Sequence, residues 1–248
     1  MLAAAAPCAV AAQRAEMVRI PGGSFRPLYA QPGEEVVAVA SFDLDALPVT
    51  RREFEAFVRE HERWQRGRVP ALFADADYLA DWAGATNAGD ATRADLPVTD
   101  VSWFAARAYC EARGARLPTT SEWEYAARAD EANPAAATQA AFRQRALDLA
   151  LAPRRDLQPV GSGMRSVWGA SDLHGGVSEW VLDFNTIFGA SDSRATTKRD
   201  RNLTCAAGAT ATGDSGDYAA FLRYALRASV DARSTAPRLG FRCARSAS

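Results

Sequence analysis

Lysine is almost missing from this chain of 248 residues: of its 29 basic side chains, Lys198 alone is not arginine. The 30 acidic residues bring the net charge to −1, so there is no basic surplus to hold a polyanion, and non-specific nucleic-acid binding is excluded. No apolar run approaches the roughly 18 residues of a membrane-spanning helix, so no membrane span is expected. Histidine is scarce as well, with only His61 and His174, so an iron site built from three histidines cannot be assembled. Among Cys8, Cys110, Cys205 and Cys243 no Cys-x-x-Cys pair occurs, which removes zinc-finger chemistry. No phosphate-binding loop, nucleophile elbow or internal repeat is present.

What is present suits one globular domain. With 48% hydrophobic and 24% charged residues, a chain of this length buries roughly three quarters of its unfolded surface. We assign residues 1–15 to a tail and 16–246 to the domain. The stretch Met1 to Ala12 is small and apolar without a basic start, and reads either as the remnant of a secretory signal or as an alanine-rich beginning. Four distant cysteines allow two long-range disulfides in three connectivities, which points to an oxidising compartment, or else buried unpaired thiols.

Several elements are legible. Val18 and Ile20 alternate before Gly22-Gly23, which predicts a hairpin through residues 17–25. Thr50-Arg-Arg-Glu53 is a capping box opening a helix of about 11 residues, with Phe54, Phe57 and Val58 on one face. Asp100 or Ser102 caps a second helix through Cys110 to Gly114, and Thr119 to Glu122 is a second capping box. Residues 62–95 show no period, and 130–158 read as a further helix or an insert. From Val160 onward, abundant Gly, Ser, Asp and Thr predict short strands and long ordered loops.

Several stretches in order resemble the formylglycine-generating-enzyme (sulfatase-modifying factor) family. They are Met17 to Phe25, Pro48 to Phe57, Leu96-Pro-Val-Thr-Asp-Val-Ser-Trp103, Arg116-Leu-Pro-Thr-Thr-Ser-Glu-Trp-Glu-Tyr125, Asp172-Leu-His-Gly-Gly-Val-Ser-Glu-Trp180 and Gly240-Phe-Arg-Cys243. The resemblance implies an α+β fold low in regular secondary structure and related to C-type-lectin-like folds. It also implies a disulfide from Cys110 to Cys243, which leaves Cys8 to pair with Cys205.

The family's enzyme oxidises a substrate cysteine with copper(I) held by two thiolates, as a soft ion requires. Here Cys205 falls at the first thiolate position, while the second falls at Thr210 counted forward or Ala219 counted back, neither a cysteine. Copper and formylglycine synthesis are therefore not expected. Calcium is the cofactor that the resemblance still implies, at Gly175, Gly176, Val177 and Glu179, with carbonyl and carboxylate oxygens suiting a hard cation. Ser178 and Gly176 depart from the family's Trp and Asn, and the rival reading pairs Glu179 with an arginine such as Arg242. His61 reads as a solvated helix-end residue.

Trp168, Trp180, Arg223, Tyr224 and Arg227 are expected to line the old substrate groove, because binding surfaces favour tryptophan, tyrosine and arginine. The resulting expectation is a non-catalytic, periplasmic or secreted monomer that binds a client enzyme or a toxin. It would act as an accessory, maturation or immunity factor; residues 205–227 resemble family members encoded beside copper nitrite reductases. The alternative is an oxidoreductase of the kind that matures siderophores, with His174, Glu179, Asp183 and Cys205 as candidate catalytic groups. A weaker alternative is copper handling by Cys205.

Overall fold

The computed structural model describes residues 16–29, 35–153, 156–184 and 216–247. Met17–Ile20 (β1), Phe42–Asp45 (β4) and Ala244–Ser246 (β7) form an antiparallel sheet with β4 in the middle. Gly23–Phe25 (β2) pairs with Val37–Val39 (β3), and Ser178–Glu179 (β5) runs parallel to Leu239–Gly240 (β6). The predicted 17–25 hairpin is not formed, because β1 and β2 join different sheets. The Gly-Gly pair serves close approach instead of a tight turn. A Cβ on Gly22 would stand 2.9 Å from the Ser41 amide nitrogen and 3.0 Å from the Val39 carbonyl.

Among the described residues five α-helices accompany these short strands: Arg51–Glu60 (α1), Trp103–Ala112 (α2), Thr120–Ala126 (α3), Ala140–Leu151 (α4) and Tyr218–Ser229 (α5). Both capping boxes form, Thr50 with Glu53 and Thr119 with Glu122, each satisfying amides that a helix start leaves open. Ser102 caps α2, and Asp217 caps α5 through the Ala220 amide. Helix α5 corrects the expectation of strands and loops after residue 160. Its Ala-rich stretch 218–229 buries Ala219, Ala220, Tyr224 and Arg227. The mixture of helices and short strands is α+β.

The core is organised around Phe54. Its ring lies 5.8 Å from Tyr109 of α2, 6.0 Å from Phe241 and 6.2 Å from Trp82. Cys110 and Cys243, both fully buried, are joined by a disulfide with Cα atoms 5.6 Å apart, fastening α2 to the chain end. Cys8 and Cys205 lie outside the described residues. Helix α4 packs on α5 in a smaller core of Ala136, Ala137, Phe142, Ala146 and Ala219. Among the described residues no helix is long and apolar enough to cross a membrane.

Candidate functional site

Short α3 carries Trp123 and Glu124 into the interior, where two ion-pair systems meet at one indole ring. Pairing of β5 with β6 sets Glu179 opposite Gly240, two residues before Arg242. The Glu179 carboxylate accepts from Arg242 Nε at 2.7 Å, from Arg242 Nη2 at 2.8 Å and from Trp123 Nε1 at 2.7 Å. Arg242 completes its donors on the carbonyls of Ser171 at 2.9 Å and Asp45 at 3.2 Å. In the second system Arg223 and Arg227 stand one helical turn apart on α5, and both bind Glu124, at 2.6 Å each. Their guanidinium carbons also lie 5.2 and 5.0 Å from the Trp123 ring centre.

Burial drives the Glu124 pKa upward, but the charges of Arg223 and Arg227 overcome it and hold the carboxyl below its ordinary range. A single indole thus receives two guanidinium groups on its ring and donates its N–H to a carboxylate. Glu124 was not among the residues singled out by sequence. The available signals were a glutamate between two aromatics on a short helix and two arginines at i, i+4 spacing.

The remaining candidate groups lie around this site, each with its own partners. Asp183 Oδ1 accepts from the Thr120 amide at 2.6 Å and its hydroxyl at 2.9 Å, tying the chain after Trp180 to the start of α3. His174 is buried, with Nε2 2.9 Å from the Ala127 carbonyl and its ring edge-on to Phe142 at 5.5 Å. Burial, then the Arg223 charge, lowers its pKa to about 4, so the ring is neutral at neutral pH. His61 is half-buried at the end of α1, against Phe57.

The expected groove needs correction. Trp180 is 1% exposed and packs in the core, its indole N–H donating to the Val101 carbonyl at 2.9 Å. Arg223 and Arg227 are spent on Glu124, and buried Tyr224 packs edge-on against Tyr29. Trp168 is half-buried and stacks on Tyr125 at 5.4 Å.

The metal sites fare similarly. Both Glu179 oxygens already belong to Arg242, and Trp123 takes a further bond. A calcium ion would have to displace a buried guanidinium, and the Gly176 carbonyl accepts from Arg238 at 3.3 Å. The Gly175, Gly176, Val177 and Glu179 set does not fit calcium as the resemblance implied. Ala219, the backward-counted copper position, is 1% exposed and packs among alanines, and the two cysteines of the described residues are in the disulfide. Thr210 and Cys205 lie outside the described residues. No cluster of three or more His, Cys, Asp or Glu side chains suited to a metal occurs among the described residues.

A different surface carries partly exposed aromatics. Trp64, Phe73, Phe104 and Trp103 follow one another edge-to-face at 6.2, 5.1 and 5.3 Å. Arg63 lies 4.3 Å from the Phe73 ring centre, Arg107 5.3 Å from that of Trp103, and Leu72 beside them is 71% exposed.

Comparison with known proteins follows the same lines. The family described as "Sulfatase-modifying factor enzyme 1-like domain" matches residues 3–247. A protein named "Inactive C-alpha-formylglycine-generating enzyme 2" from Bos taurus is 35% identical over 149 residues, which cover 47% of this chain and 50% of that one. The chain thus aligns with about half the length of that relative. "Formylglycine-generating enzyme" of Streptomyces coelicolor is 29% identical over 93% of this chain and 89% of its own. Among solved structures, CarF superposes with a TM-score of 0.55 at 17% identity over 94% of this chain and 98% of its own, a likeness of fold.

Proposed function

The chain belongs to the sulfatase-modifying factor enzyme 1-like family, and from that premise we propose that it is a non-catalytic member that works by binding another protein. One observation carries the reading. Glu179, Asp183 and His174, the candidate catalytic groups among the described residues, and Glu124 beside them are each committed to internal bonds. The second copper position brings no thiolate in either register, since it falls on Thr210 or Ala219. Relatives of both kinds exist, one named as inactive and one named as the enzyme.

In this proposal the contact chemistry comes from the Trp64, Phe73, Phe104 and Trp103 row with Arg63 and Arg107, residue types that dominate binding energy when a partner covers them. The buried disulfide accords with export to an oxidising compartment, and the protein acts there as a monomer on a client enzyme or a toxin.

The test has two arms. The protein, supplied with copper(I), a cysteine-containing peptide and oxygen, should leave the peptide unoxidised. The purified protein should bind one partner from its own host with an affinity that Phe73→Ala and Trp103→Ala each weaken at least tenfold. Catalytic turnover of the peptide, or binding indifferent to both substitutions, overturns the reading.

A further inference from the structure

Asp100, two residues before the cap of α2, is 7% exposed and takes the left-handed backbone conformation, with φ of +56°. Its carbonyl accepts from the Leu79 amide at 2.9 Å and its amide donates to Ala236 at 3.1 Å, so its backbone ties residues 77–82 to the loop 231–236. Its carboxyl has a single hydrogen-bond partner among the described residues, the Thr99 hydroxyl at 3.3 Å.

The charges around it are arranged unfavourably for a second anion. Asp77 and Asp81 lie two residues on either side of Leu79, whose amide binds the Asp100 carbonyl, and their charges act on its carboxyl. The cation nearby is Arg51 of α1, 1% exposed, and it is engaged elsewhere. Its Nη1 binds Asp81 at 2.6 Å, its Nη2 binds the Ala88 carbonyl, and its Nε has no partner among the described residues. Arg93 adds a second contact to Asp81, at 3.3 Å. From the loop 231–236, Arg233 turns its guanidinium to the Ala71 carbonyl, and Thr235 donates to Asp75. Among the described residues no guanidinium hydrogen-bonds Asp100.

We propose that Asp100 is a proton-operated latch on residues 77–82: protonated, it sits beside Asp81 and Asp77 as a neutral acid; ionised, it repels both and loosens that segment. Burial, reinforced by the charge of Asp81, pushes its carboxyl up to about 6. The segment it fastens holds the aromatic surface in place. Tyr78 donates from its hydroxyl to the Trp64 carbonyl at 3.0 Å, and Arg66 donates to the Trp82 carbonyl. Raising the pH through about 6 then weakens the support beneath the Trp64 end of the aromatic row.

The sign is fixed by linkage. A carboxyl whose pKa is higher folded than unfolded adds stability fully present below the unfolded value, and this is lost as the pH rises through the folded value. Between 3.8 and about 6 the change in the folding equilibrium constant is roughly 100-fold.

Denaturant unfolding of the full oxidised chain and of Asp100→Asn from pH 4 to 8 tests this. His174 titrates in both proteins and cancels in their ratio. The folding constant of the parent relative to the variant should fall roughly 60-fold, nearly all of it between pH 4 and 6, and level off above about 6. Hydrogen exchange at the Leu79 amide, corrected for intrinsic rate, should show protection falling across the same range in the parent alone. A ratio constant across the range overturns the proposal. Should Asp100→Asn not fold, Leu79 exchange in the parent decides: protection falling between pH 4 and 6 and flat above supports the latch, and protection independent of pH overturns it.

Discussion

Glu179 and Arg242 form a two-point ion pair in which neither side chain reaches solvent. Two charges removed from water need near-complete hydrogen bonding to be tolerated, and here it is supplied by Trp123 and the carbonyls of Ser171 and Asp45. The pair joins β5 to the strand end that carries the disulfide, so the family's last motif and its Glu-Trp motif are held together by charge as well as by backbone pairing.

Glu179→Gln should therefore destabilise the fold by about 3–5 kcal/mol, the usual penalty for leaving one member of a buried pair behind. Calcium at millimolar concentration should not restore the loss, since the carboxylate neutralises Arg242 and no cation replaces that role. Denaturant midpoints with and without calcium check both parts, and a calcium-dependent midpoint in the parent protein would count against the assignment of Glu179 to arginine.

The disulfide makes a separate demand. Cys110 and Cys243 are 133 residues apart, and closing so long a loop restricts the unfolded chain by about 4–5 kcal/mol on the chain-entropy account. The double variant Cys110→Ala, Cys243→Ala should lose stability of that order or somewhat less. The parent protein should show a comparable loss in strong reductant. Unchanged unfolding after reduction, with free thiols confirmed by mass, would refute it.

His174 sets the acid limb of stability. Burial, then the Arg223 charge, lowers its pKa to about 4 from the ordinary 6.5. The unfolded chain accordingly takes up a proton that the folded chain refuses. Stability is present in full above 6.5 and falls as the pH drops toward about 4, by roughly 3 kcal/mol in all. His174→Gln should flatten that limb. Asp100 works in the opposite direction over the same range, so the pH profile of the parent alone understates both groups, and the two single variants should tilt it in opposite senses.

How much of this was legible follows a physical division. Both capping boxes, the α1 apolar face and the α2 cap are local signals, carried within a few residues, and they appear as read. The Gly22-Gly23 pair was misread because its meaning depends on Ser41 and Val39 arriving from another strand. Helix α5 was missed because a Gly-, Ser- and Asp-rich neighbourhood concealed its Ala, Leu and Arg face. Trp180 read as a groove residue because tryptophan marks binding surfaces and cores alike, and only Val101 and Phe184 packing around it decides the matter. Glu124 went unnoticed because its meaning lies in arginines about a hundred positions away.

Those arginines give the sharpest test of how α5 is attached. Arg223 and Arg227 meet Glu124 of α3 at 2.6 Å each, while toward α4 the helix offers Ala219, which shares a small core with Phe142 and Ala146, and its one large buried apolar ring, Tyr224, packs on Tyr29. Burial of alanine surface contributes little, since the effect scales with apolar area, so the ion pairs hold much of the orientation of the helix. Glu124→Gln strands two guanidinium groups above the Trp123 ring and should cost about 3–5 kcal/mol, with hydrogen exchange across 218–229 rising more than in α1 or α2. Replacing Arg223 with Met in the same background should recover part of the loss, because the stranded charge, not a missing contact, is the source of the penalty. Were α5 exchange unaltered by Glu124→Gln, its attachment would have to come from apolar packing and not from the triad.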